Sequence, residues 1–134
     1  MILALRVFFS VVLVSMLAVT GWAGSQVPLW AIPASVGGHP WFIATLCDTY
    51  WAFFAFYLWL CAKEPSWTAR VFWFLAIVLL GNIAIAAYAL AVLFRLPTDA
   101  TVDRLLLRGT PLPVWLPAAL VAVFLFVLGC AALV

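Results

Sequence analysis

Four stretches of this chain, at about 3–23, 41–62, 67–94 and 114–134, run for about 20 residues or more with at most one charged side chain each. A helix of that length crosses the roughly 30 Å of bilayer hydrocarbon, since each residue advances it by about 1.5 Å. Apolar and aromatic residues make up 70% of the chain and charged ones only 7%, so no soluble core could absorb it. Lipid satisfies no backbone hydrogen bond, which leaves helices or a closed barrel. Unbroken apolarity without alternation excludes the barrel. The sequence therefore predicts an all-α fold: one transmembrane domain over 1–134, built as a four-transmembrane-helix bundle with no broken helix.

The first run resembles a secretory signal, with Arg6 as its basic start and Gly21-Trp22-Ala23 as a candidate cleavage site. It is read as a retained anchor, and so as the first spanning helix. With the amino terminus inside, Arg6, Lys63 and Arg70 fall on the inner side and Arg95, Arg104 and Arg108 on the outer, a tie. The first loop (24–40) holds no Lys, Arg, Asp or Glu and translocates easily. This favours both termini in the cytoplasm of a bacterial inner membrane, cytoplasmic or photosynthetic.

The third loop (95–113) has helix punctuation: Thr98 or Asp99 can cap and Gly109 can terminate. A short interfacial helix over about 98–108 follows, with Val102, Leu105 and Leu106 toward apolar surroundings and Asp103, Arg104 and Arg108 toward headgroups. Trp22, Trp30, Trp41, Trp67 and Trp115 fall at helix ends or in the first loop, where indole anchors at the interface. Trp51, Trp59 and Trp73 lie inside the runs, and the Trp51 indole N–H there needs an internal acceptor.

Asp48 is the strongest single candidate. Seven residues after Trp41, it lies roughly 10 Å below the interface, where a carboxylate costs at least ~2.5 kcal/mol unless paired, protonated or wetted. At 100° per residue it shares a face with Ala44, Thr45, Ala52, Ala55 and Ala62, whose small side chains suit close helix approach. That face is expected to pack inward, with Tyr88, Arg95 or His39 as partner. The opposite strip, Tyr50, Phe53, Phe54 and Tyr57, is then left for lipid or a flat apolar ligand.

Three other positions carry polar groups in or near the runs. Asn82, near the middle of the third run, shares a small-residue seam with Val78, Ala86 and Ala89 and reads as interhelical glue. Glu64, with Lys63, Arg6 and Arg70 at comparable depth, reads as part of an interfacial charge cluster. His39 could ligate a metal or a chlorophyll magnesium, but a solvent-exposed loop histidine is the plainer reading. Cys47, Cys61 and Cys130 form no CxxC pair and read as small packing residues.

No phosphate loop, HExxH, nucleophile elbow or nucleic-acid-binding basic patch occurs. Neither metal nor cofactor is therefore predicted. A bound lipid, carotenoid or chlorophyll-type pigment remains compatible with the aromatic load, with His39, Tyr50, Trp51, Phe53, Phe54 and Tyr57 as the residues that would touch it.

Pro40-Trp41, Thr45-Leu46, Asp48, Tyr50, Trp59, Lys63-Glu64 and Ser66-Trp67, followed by Trp73, Gly81, Tyr88 and Leu93-Phe94-Arg95-Leu96, form an ordered set over the central half of the chain. The set resembles the signature of a family of small membrane proteins of plants and bacteria, a domain of unknown function. The resemblance implies a helical membrane fold and singles out Asp48, Tyr50, Glu64 and Trp67; it brings no activity. The expected role is a non-catalytic accessory or scaffolding subunit, packed against other integral membrane subunits and lipid in, for example, a photosynthetic or respiratory assembly. The alternative is a small enzyme or binding protein for an isoprenoid, carotenoid or lipid, with Asp48 as proton donor beside Tyr50, Trp51 and Tyr88.

Overall fold

A computed structural model describes residues 1–101 and 111–132. Among these residues every regular element is helical: α1 (Ile2–Gln26), α2 (Ala34–Gly37), α3 (Pro40–Lys63), α4 (Trp67–Leu80), α5 (Asn82–Leu93) and α6 (Trp115–Ala132), with a 3-10 turn at Leu29–Ala31. Pro40 starts α3 at a position where its missing N–H costs nothing, and Pro65 lies just past its end. The Ser66 hydroxyl then caps α4 by accepting the Ala69 N–H at 3.4 Å. Two helices, α1 and α3, are long and apolar enough to cross a membrane.

The third run is not one helix. It breaks at Gly81, whose φ of 53° and ψ of −124° put it in a region open in practice to glycine alone. The chain reverses there. In a single straight helix Trp73 and Tyr88 would stand about 22 Å apart, yet their rings meet edge-on with centroids 5.0 Å apart. α4 and α5 therefore form a helical hairpin, and α5 returns to the end from which α4 set out. Neither arm, at about 21 Å and 18 Å, reaches across a 30 Å hydrocarbon layer. The expected unbroken bundle of four crossings is thus corrected to two membrane-length helices around a folded-back pair, with α6 alongside.

The remaining packing follows from the hairpin. α3 lies antiparallel to α4: the Tyr57 hydroxyl donates to the Arg70 carbonyl at 3.2 Å and that of Tyr50 to the Val78 carbonyl at 3.3 Å. α1 packs along α5, and α6 packs along α4. The core lies among Phe53, Leu60, Trp73, Ile77, Tyr88 and Val121. The expected interfacial helix over about 98–108 begins instead with a turn, the Ala100 N–H donating to the Pro97 carbonyl. Its remaining residues lie outside the described residues.

Candidate functional site

The faces of α3 are the reverse of those expected. Phe53 is buried, Tyr50, Phe54 and Tyr57 are half-buried and turned toward α4, and Phe54 stacks on Phe74 at 6.2 Å. Asp48 is exposed, together with Ala44, Thr45, Ala52, Ala55 and Ala62, while Trp51 is 73% exposed. The physical reason is area. A single chain gains most by burying the large rings, each worth far more than an alanine methyl. Trp51, turned outward, needs no internal acceptor, and of the strip of Tyr50, Phe53, Phe54 and Tyr57 only Phe53 is buried.

None of the partners considered for Asp48 reaches it. Tyr88 is fully buried in the core, Arg95 donates to the Pro111 carbonyl at 2.7 Å, and His39 is an exposed residue at the start of α3. Thr45 and Thr49 turn their hydroxyls back onto the Trp41 and Thr45 carbonyls, both at 2.8 Å. Among the described residues, no hydrogen bond serves the Asp48 carboxylate. Asn82 is half-buried just past the Gly81 turn, and its amide crosses to no other helix among the described residues, so the glue role is also corrected.

The polar convergence lies instead at the opposite end of α3. Glu64 is only 1% exposed, and its carboxylate accepts the Leu112 N–H at 3.1 Å and 3.4 Å. Burial pushes the Glu64 pKa up, against the opposing pull of that N–H, of Tyr88, and of the Arg95 and Lys63 charges. The Tyr88 hydroxyl is near enough to be felt by the carboxyl but meets no acceptor at full hydrogen-bond geometry. Below it, Tyr88 is ringed edge-on by Trp73, Trp59 and Phe56, the last two at 6.0 Å.

The expected charge cluster exists in altered form, because its arginines hold carbonyls. Arg70 Nε donates to the Glu64 backbone oxygen at 2.7 Å. Arg6 donates from Nη2 to the Leu93 carbonyl at 3.0 Å and to that of Leu96 at 2.7 Å, which caps the end of α5 from α1. Cation–π contacts seat three of the cations: Arg6 over Phe94 at 5.2 Å, Lys63 over Trp59 at 4.9 Å, and Arg70 over Trp67 at 5.6 Å. Arg95 thus joins Arg6, Lys63 and Arg70 at one end of the molecule, which corrects its expected place on the other side; Arg104 and Arg108 lie outside the described residues.

Sequence reading missed the turn at Gly81, the tie at Leu112 and the capping role of Arg6. Gly81 had a signal, since a run of about 28 residues is longer than a bilayer needs and holds a Gly-Asn pair at its middle. Leu112 and Arg6 had none, because both act across 48 and 87 residues of chain. The three cysteines are free, Cys47 and Cys130 being exposed. Among the described residues, no three of His, Cys, Asp and Glu gather into a set that could hold a metal.

Fold and site together define an all-helical protein with two helices of membrane length and a buried, internally tied carboxylate at one end. The chain belongs to the family described as protein of unknown function (DUF1475), whose profile matches residues 35–112. The match takes in α2 to α5 and stops at Leu112, the residue tied to Glu64; α1 and α6 lie outside it. No curated protein and no solved structure matches the chain.

Proposed function

We propose that this chain is an integral membrane protein acting as a non-catalytic accessory subunit, packed against and stabilising a larger membrane assembly. One observation carries the reading. The groups that converge, Glu64, Arg6, Arg70 and Arg95, are committed to the chain's own backbone, whereas the groups left uncovered, Asp48 and Trp51 on α3, face away from the molecule. Polar groups that hold a fold together leave little for chemistry, and an outward carboxylate on an apolar helix calls for a neighbour. Proton donation by Asp48 finds no support, since Tyr50 and Tyr88 turn inward and away from it.

The gathering of Arg6, Lys63, Arg70 and Arg95 at one end supports, by the positive-inside tendency, a reading in which that end lies on the cytoplasmic side of a bacterial inner membrane. α6 starts at that same end, beside Glu64, and packs along α4. The test is gentle solubilisation of the native membrane, capture of the tagged full chain, and measurement of partner stoichiometry and pigment absorbance. A stoichiometric membrane partner is the expected result, with respiratory and photosynthetic assemblies the first to examine. A monodisperse 14.7 kDa species without partners would overturn the reading.

A further inference from the structure

The outward face of α3 combines two properties that rarely meet. Asp48 is eight residues into a helix of membrane length, about 12 Å from its Pro40 end, and it is exposed with the neighbouring hydroxyls already engaged. One turn to either side stand Ala44 and Ala52, with Ala55 beyond, all exposed. A second helix could therefore approach the α3 backbone closely at the level of the carboxylate.

We propose that this face docks one transmembrane helix of a different protein, and that the docked helix carries an Arg or Lys at the depth of Asp48. The inference rests on the accessory-subunit reading and names its contact. Charge complementarity selects the occupant. The described cations of this chain, Arg6, Lys63, Arg70 and Arg95, gather at the other end, and Lys63 is fifteen residues from Asp48, about 22 Å along α3. A second copy in the same membrane orientation would set Asp48 against Asp48, like charge on like, with its own cations equally far away. A cation supplied by another chain neutralises the carboxylate where water does not reach.

The probe is a synthetic Leu/Ala membrane-spanning peptide without Trp, dansylated, carrying one Arg about 12 Å from one interface, beside a twin with Leu there. Each is reconstituted with the full chain in phosphatidylcholine vesicles, and Trp-to-dansyl energy transfer reports association. The Arg peptide is expected to associate about tenfold more tightly than its twin, to lose that advantage with Asp48→Asn, and to lose affinity with Ala52→Leu, which blocks close approach. Circular dichroism of each variant establishes that it is folded. Equal association of the two peptides, an Arg preference that survives Asp48→Asn, or a disulfide between Cys47 residues of two copies would overturn the proposal. In native membranes, an Asp48→Asn chain that keeps its stoichiometric partner sinks this docking face and spares the accessory role. A wild-type chain with no partner at all sinks both.

Discussion

The ring of Phe53 occupies the place a side chain on Gly81 would need: a Cβ built there would stand 2.8 Å from the Phe53 Cζ. This contact and the positive φ make the hairpin turn depend on glycine twice over, through sterics at α3 and through its own backbone. Gly81→Ala is expected to cost about 2–4 kcal/mol, the sum of backbone strain and overpacking. Unfolding in mild detergent measures it. Phe53→Leu in the same chain should recover the overpacking part and leave the strain, so a double-mutant cycle separates the two.

Glu64 makes stability depend on pH. Its carboxyl is pushed above the ordinary 4.5 by burial, so the folded state holds the proton more tightly than the unfolded chain. Its contribution is complete below pH 4.5 and is lost as pH rises through the elevated folded value. Thermal unfolding followed upward from pH 4 should therefore show a loss of stability that Glu64→Gln removes. The glutamine oxygen can still accept the Leu112 N–H. Glu64→Leu strands that buried N–H and should cost about 1–3 kcal/mol at every pH.

Arg6 fastens α1 to the end of α5 through the Leu93 and Leu96 carbonyls. Arg6→Met should cost about 1–3 kcal/mol by leaving those carbonyls without their charged donor. Arg6→Lys should recover only part, because an ammonium lacks the planar fork that spans two acceptors. Protease protection of α1, compared among the three chains, gives the readout.

The hairpin sets Thr68, in the first turn of α4, and Thr98, just past α5, at the same end of the molecule. Thr68→Cys and Thr98→Cys, each in a chain whose native cysteines are replaced, should react with a membrane-impermeant maleimide from the same side of sealed vesicles. A straight third helix would separate them, and labelling from opposite sides would refute the hairpin.

Hydrophobic run length was legible from the first residue. Helix content, the limits of α1 and α3 to within about three residues, and the place of Glu64 just past the end of α3 all follow from it. Direction was not. Apolarity alone does not distinguish a helix that continues past Gly81 from one that folds back, and a helical wheel ranks alanines and aromatics on α3 without stating which face the rest of the chain will cover. The small side chains around Asp48 point that face inward on a wheel; among the described residues the buried carboxylate is instead Glu64, tied to a backbone N–H too distant in sequence to anticipate. The accessory reading therefore rests on what the folded chain leaves uncovered, Asp48 and Trp51 on α3.

A hairpin that stops at Gly81 gives the molecule unequal girth. Among the described residues α4 and α5 are confined to the half that holds the arginines, whereas α1 and α3 run on into the other, where α2 also lies. The taper leaves lateral room beyond the Gly81 turn, on the side of α3 that carries Tyr50 and Phe53, while the Asp48 face opens to the opposite side, so α3 is approachable from two directions at the same level.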